Sequence, residues 1–330
     1  MSDGKSTSAD AGGAGQEATS ATSATSSGER VWTVLELLRW TTDYFRRAGI
    51  DSARLDAEVL LAHALETERL RLYVDYEKPI LTAERDRYRA LVVRRATERV
   101  PVSQLLGERE FWSLSFRVTG DVLTPRPETE TLVEAALGKI GAMAQDATQD
   151  GAQDVMSDGN PIRVLDLGTG SGAIALSLAS ELPHAEITAT DLSELALQIA
   201  TKNADHLHTR ERIRFLSGDL FEPVASERFD VVVSNPPYVA RDQMASLPPE
   251  LSHEPEMALF AGADGLDVIR RLVAEAGDHL SPGGWLLIEL SPEQMEVVMQ
   301  ALSKAGFVEL ERHFDLAKLP RVVGARWPVE

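Results

Sequence analysis

The sequence predicts an α/β protein whose parallel sheet carries helices on both faces, with a small helical domain ahead of it. Two observations carry this expectation. From Pro161 onward the apolar runs "IRVLDLG", "AEITATD", "IRFLSGD", "FDVVVSN" and "GGWLLIEL" alternate with helical segments, and repeated βα units imply a parallel sheet. Residues 31 to about 106 instead repeat apolar positions at helical spacing.

In chain order, residues 1–30 are mostly Ser, Thr, Ala and Gly, with no large apolar residue after Met1. They cannot bury enough surface to offset their ordering entropy, so a disordered tail is expected. They also lack the apolar core of a secretory signal. Helices follow over "VWTVLELLRWTTDYFRRAGI", closed by Gly49, and over "SARLDAEVLLAHALE". A third covers "TAERDRYRALVVRRATERVP", with Thr82 as its N-cap. This 31–106 domain holds no catalytic cluster and reads as a packed bundle or recognition platform. In "FWSLSFRVTGDVLTP", Trp112, Leu114, Phe116 and Val118 alternate with Ser113, Ser115 and Arg117, and Thr119-Gly120-Asp121 turns the chain. A β-hairpin linker over 107–124 is expected. The domain over 125–330 opens on the helical "ETETLVEAALGKI" and carries a mobile Gln/Asp/Gly/Ala-rich insertion at 141–160. "GFVELERHF" and "RVVGARW" close it as an antiparallel pair.

Composition narrows the class. Apolar residues make up 43% and charged residues 26%, as in globular proteins, and no apolar stretch approaches the ~18 residues of a membrane span. The absence of cysteine excludes disulfides, thiolate metal sites and Cys nucleophiles, and fits a cytoplasmic protein. The seven histidines show no metal-ligand spacing. A net charge of −19 opposes stable binding to nucleic acid, whose affinity comes mainly from neutralised phosphates.

Ligands of open α/β sheets bind beyond the C-terminal ends of the strands. Asp166, Asp191, Asp219, Asn235 and Glu289 all fall at such ends. Asp166 leads into Gly168-Thr169-Gly170-Ser171-Gly172, whose G-x-G-x-G spacing differs from the dinucleotide fingerprint. A pyrophosphate beside Asp166 would be repelled. S-adenosyl-L-methionine has no phosphate and carries an ammonium and a sulfonium, so it suits that carboxylate. Asp191 is placed to accept ribose hydroxyls. Asp219, by its carboxylate or the adjacent backbone, can meet the adenine amino edge, with Leu220 against the ring face.

The tetrapeptide Asn235-Pro236-Pro237-Tyr238 ends the run "VVVS". Pro236 fixes its own φ and restrains Asn235, and Pro237 does the same to Pro236. This stiff strand end presents the Asn235 side-chain carbonyl and the Pro236 main-chain carbonyl as two acceptors. They match a nitrogen bearing two N–H donors, in a carboxamide or an aminated base. Such a nitrogen is a poor nucleophile because its lone pair is conjugated. Holding both hydrogens favours partial pyramidalisation and aims the lone pair at a methyl donor. Tyr238 would wall the planar group and turn a π face to the sulfonium. Neither a metal nor a covalent intermediate is needed.

Over residues 31 to 330 the sequence resembles the HemK/PrmC family, the peptide chain release factor N(5)-glutamine methyltransferases. The resemblance lies in "DSARLDAEVLLAHAL", "PVSQLLGEREFWSLSFRVTGDVLTPRPETETLV", "VLDLGTGSGAIALSLA", "VVVSNPPYVA" and "HEPEMALFAGADGLDVI". It implies a seven-stranded Rossmann-like class I S-adenosylmethionine-dependent methyltransferase domain behind a helical substrate-recognition domain. The acceptor it implies is the glutamine of the release factors' Gly-Gly-Gln motif. On this resemblance Gly168 to Gly172 contact the methionyl part of the cofactor, Asp191 the ribose, and Leu220 the adenine. Asn235 to Tyr238 hold the target glutamine, and Arg126, Glu128 and Thr129 line the site mouth. Leu290-Ser291 departs from the family pattern, where a Gly is expected soon after Glu289. A ribosomal-protein glutamine methyltransferase, a nucleic-acid amino methyltransferase and a non-catalytic adapter are the competing readings.

Overall fold

The computed structural model describes residues 31–149 and 161–329. The tail expected over 1–30 and the second half of the 141–160 insertion lie outside them. The N-terminal domain has five helices: α1 Val34–Arg47, α2 Ala53–Ala64, α3 Arg69–Val74, α4 Thr82–Thr97 and α5 Val102–Leu106. Thr33 caps α1 reciprocally with Glu36. Glu36 N donates to Thr33 Oγ1 at 3.3 Å and Thr33 N to Glu36 Oε2 at 3.0 Å. For α4 the N-cap position is Leu81 rather than Thr82, and Glu84 accepts from Leu81 N at 2.8 Å. Leu38, Phe45, Leu60, Leu61 and Tyr88 fill the core of this domain, each large apolar side chain contributing about 1.5–3 kcal/mol by leaving water.

Strands β1 Glu108–Phe111 and β2 Leu114–Arg117 form the linking hairpin. Its turn is Trp112-Ser113, not Thr119-Gly120-Asp121. Both turn residues have positive φ, 51° and 56°, without the glycine or asparagine that announces such a turn in sequence. Tertiary bonds anchor Trp112. Trp112 N donates to Glu130 Oε1 at 3.0 Å and Trp112 Nε1 to Glu181 Oε1 at 2.8 Å.

The second domain contains β3 Arg163–Leu167, β4 Glu186–Asp191, β5 Ile213–Ser217, β6 Phe229–Ser234, β7 Leu280–Glu289, β8 Val308–Phe314 and β9 Pro320–Arg326. They form a seven-stranded sheet in the order β5-β4-β3-β6-β7-β9-β8, with β9 antiparallel to both neighbours and the rest of the pairs parallel. Its helices are α6 Glu130–Gln149, α7 Ala173–Glu181, α8 Glu194–His206, α9 Glu256–Leu259, α10 Asp267–Glu275 and α11 Met295–Lys304. Helix α6 therefore continues through residues 141–149, where a loop was expected. Ile140 is buried and Met143 packs on the same core, so the helix keeps an apolar anchor past Gly141. Both sheet faces are covered. Val164, Val231 and Val233 pack with α6 and α7, whereas Leu165, Leu167 and Val232 pack with α10 and α11. Strand order reverses between β3 and β6, which opens a crevice at their C-terminal ends. Among the described residues no helix is long and apolar enough to cross a membrane.

Candidate active site

The crevice holds a cleft of about 400 Å³ walled by the glycine loop, Asp191, Leu220, Asn235 and Pro237. The loop is tied to the end of β4. Gly168 N and Thr169 N donate to Thr190 O at 2.9 and 3.0 Å, and Gly170 N donates to Asp191 Oδ2 at 2.8 Å. A Cβ added at Gly168 or Gly170 would meet nothing within 4 Å, so their backbones face open space.

Two carboxylates support the loop. Asp166 is fully buried, and its Oδ2 accepts from Thr169 Oγ1 at 2.7 Å and Ala175 N at 3.2 Å. Its Oδ1 has no partner among the described residues. Burial pushes its pKa up to about 7. Asp166 does not line the cleft, so it acts on it through the glycine loop that it supports. Asp191 is also pushed upward by burial, opposed by backbone donors at Ser193, Gly170 and Leu192. Its Oδ1 accepts from Ser193 N at 2.8 Å, so both oxygens are already oriented and each keeps a lone pair for a hydroxyl donor. The Asp219 carboxylate, also on the cleft wall, pairs with Arg271 at 2.8 Å.

At the end of β6, Ser234 Oγ donates to Leu167 O at 2.8 Å and fixes the strand end to β3. Asn235 Nδ2 donates to Thr129 Oγ1 at 3.1 Å. That bond turns the Asn235 carbonyl the other way, and neither Asn235 Oδ1 nor Pro236 O accepts a hydrogen bond among the described residues. The segment beyond is clamped. Gln294 Nε2 donates to Tyr238 O at 2.9 Å, and Val239 N to Leu259 O at 2.9 Å.

A model of the PrmC N-terminal domain matches residues 36–107, and one of the methyltransferase small domain matches 152–259. The release factor glutamine methyltransferase of Rhodopirellula baltica is 42% identical over 302 residues, 90% of this chain and 97% of that protein. That of Geobacter sulfurreducens is 40% identical, again over 90% of this chain and 97% of that protein. That of Burkholderia pseudomallei is 44% identical over 87% of this chain and 95% of that protein. The chain belongs to the release factor glutamine methyltransferase family. A solved structure of the hMettl16 catalytic domain in complex with MAT2A 3'UTR hairpin 6 shares the fold, with a TM-score of 0.51 at 15% identity over 75% of this chain and 82% of that one.

Within this family frame, the expected residues divide by position. Gly168, Thr169, Gly170, Ser171, Asp191, Leu220, Asn235 and Pro237 share the cleft wall, with Arg126 and Thr129 beside them. Gly172, Pro236, Tyr238 and Glu128 are not on it. Gly172 starts α7, where a Cβ would sit 2.4 Å from Leu176 Cδ1 and 3.3 Å from Ala200 Cβ, so close helix packing accounts for it. Pro236 is buried. Tyr238 stands behind the wall, its hydroxyl 3.5 Å from Glu289 Oε1, too far for a strong bond. Burial and then the Glu289 charge push that hydroxyl's pKa up.

Three supports were not singled out from the sequence. Glu254, its side chain almost wholly buried, holds Arg126 and accepts from Thr124 N at 3.3 Å. Gln294 and Gly265 clamp the Tyr238 carbonyl. Only the two close glycines of "AGADG" hinted at this loop.

Proposed function

We propose that this enzyme transfers a methyl group from S-adenosyl-L-methionine to the side-chain amide nitrogen of the glutamine in the Gly-Gly-Gln motif of peptide chain release factors. The observation that carries the reading is the unpaired acceptor Asn235 Oδ1 on a proline-stiffened strand end in the wall of the glycine-loop cleft, with the unpaired Pro236 O next to it in the chain but behind the wall. When bound, the cofactor supplies a methyl group on a positively charged sulfur. Gly168, Thr169, Gly170 and Ser171 would cradle its methionyl part, Asp191 its ribose hydroxyls, and Leu220 its adenine. Asn235 and Pro236 accept hydrogen bonds from the two amide N–H groups of the target and fix the direction of its nitrogen lone pair, and the nitrogen gives up one of those protons, to solvent, as it gains the methyl group. Pro237 shapes the wall, and Tyr238 backs the strand end against Glu289 rather than facing the cofactor.

The partners in this reading are release factors, acting in the cytoplasm. The net charge of −19 supports the further expectation that nucleic acid is not stably bound. Mass spectrometry of a release factor incubated with enzyme and cofactor tests the proposal. One added methyl on the Gly-Gly-Gln glutamine is expected. An unmodified release factor beside methylated nucleic acid would overturn it.

A further inference from the structure

The tip of the β8–β9 hairpin carries three large apolar side chains that the sheet cores do not use. Phe314 is 54% exposed, Leu316 fully exposed and Leu319 43% exposed, and none of them packs into the core on either sheet face. Single exposed apolar residues are ordinary, but three of them on one short tip make a patch. The tip is also well braced. Asp315 N donates to Leu319 O and Lys318 N to Asp315 O, each at 2.9 Å. The buried Asp315 carboxylate accepts from Leu319 N and from Arg321 Nε, again at 2.9 Å. A carboxylate with both oxygens engaged therefore fixes a turn whose apolar side chains stand in water.

Strand register places this tip on the rim where the cleft opens. Val322 of β9 pairs with Glu289 at the end of β7, and β9 runs antiparallel to β7, so Pro320 and the tip before it lie beyond that strand end. Leu290 N donates to Arg321 O at 2.9 Å and ties the two together. In the sheet β7 stands between β6, which ends at Asn235–Tyr238, and β9. On its other side Phe314 shares a recess of about 510 Å³ with Thr131 and Glu134 in the first turns of α6. Those turns directly follow Thr129 of the cleft wall. The patch and the acceptor segment occupy one rim, one strand apart.

We propose that this tip docks the protein substrate, with an apolar surface beside the glutamine-bearing loop packing on Phe314, Leu316 and Leu319. The proposal rests on the reading of a release factor as that substrate. A loop inserted into the cleft brings the surface that flanks it against the rim. An apolar knob that is already ordered loses little entropy when it is covered. Other occupants are opposed by the chain itself. Residues 1–30 hold no large apolar residue after Met1, so the protein's own tail has little to lay on the patch. A second copy pairing along the edge strand β8 meets Glu309, Glu311 and Arg312 and two register shifts, devices that keep an edge from pairing.

Leu316 is fully exposed, so Leu316→Asp changes the surface without disturbing the fold. In steady-state kinetics it should raise KM for a release factor by about tenfold, with kcat and the KM for S-adenosyl-L-methionine moving less than about threefold. Adding Phe314→Ser should raise that KM further, and Leu316→Met should stay within about threefold of wild type. A short Gly-Gly-Gln peptide, too small to reach the tip, should be methylated equally by all of them. Calorimetric titration of the release factor into enzyme holding S-adenosyl-L-homocysteine should show the same loss of affinity without turnover. An unchanged KM in the double variant, or an equal loss with the short peptide, would overturn the docking surface. A wild-type dimer in sedimentation velocity that Leu316→Asp dissociates would also overturn it, by giving the patch to a second copy. If the release factor binds wild type, binds Leu316→Asp about tenfold more weakly and yet is never methylated, the docking surface stands and the proposed reaction fails. If it neither binds nor is methylated, both fall.

Discussion

Asn235→Ala removes the side-chain acceptor while leaving the glycine loop and Asp191 intact. Methyl transfer should fall by about 100-fold or more, as when one preorganised partner of a reacting group is lost. Calorimetric cofactor affinity should stay near wild type, so a parallel loss of affinity would count against the assignment. Asp191→Ala should do the reverse, weakening cofactor binding by about 1–3 kcal/mol because it removes a half-buried acceptor and releases Gly170 N. Buried carboxylates also make stability depend on pH. Glu289 is raised to about 7 from an ordinary 4.5, so the folded state holds its proton more tightly than the unfolded chain does. The stability it contributes is complete below about pH 4 and lost as pH rises towards 7. Relative to wild type, Glu289→Gln should therefore gain thermal stability between pH 4 and pH 8, read as the difference in Tm across that range. The strand-end acids were legible in sequence because a sheet's C-terminal rim is where ligands bind. Their partners were not: Asp219 meets Arg271 and Asn235 meets Thr129 only after distant segments fold together.

The strands followed the sequence more closely than the turns did. The continuous apolar runs of β3, β6 and β7 arise because both sheet faces are covered, and such runs survive any error in a single residue. The hairpin turns at Trp112-Ser113, where positive φ falls on residues that carry no turn signature and Trp112 is anchored by the distant Glu130 and Glu181. The reach of α6 past Gly141 depends likewise on packing by Met143. At the clamp behind Tyr238 the local cause is plain. Gly265 has φ +76°, and a Cβ there would lie 2.2 Å from Tyr238 O and 2.9 Å from Gln294 Nε2. Gly265→Ala must push the loop off the Asn-Pro-Pro-Tyr backbone, at a cost of about 1–3 kcal/mol. Its melting temperature should fall, and kcat should drop more than cofactor affinity. Normal turnover in a Gly265→Ala protein of lowered stability would show that this clamp does not set the acceptor geometry.

The two domains meet through charge as well as packing. Arg95, buried in the N-terminal domain, bonds Asp56 at 2.8 Å and reaches Glu250 of the catalytic domain at 2.7 Å, and Arg99 reaches the same carboxylate at 2.7 Å. His253 and Gln104 add bonds to Glu98 O and His253 O across the same seam. The pairing holds Glu250 below the usual carboxylate range, chiefly through the bond from Arg95, although partial burial opposes it. Beside this seam runs a groove of about 830 Å³, which shares Arg126 with the cleft and is lined in part by Glu254. A protein substrate that inserts a loop into the cleft must lie along some such surface. The angle between the domains then decides how well the rest of it fits. Glu250→Ala removes the ion pairs across the seam yet leaves Arg95 paired with Asp56 and Arg99 bonded to Ala48 O at 2.8 Å, so each domain keeps its fold. The expected result is a rise of about tenfold in KM for the release factor, a loss of about 1.4 kcal/mol, with kcat and cofactor affinity nearly unchanged. A short glutamine peptide, too small to touch the N-terminal domain, should be methylated equally by both proteins. If peptide and release factor suffer alike, Glu250 acts on the cleft itself and the seam plays no part in substrate docking.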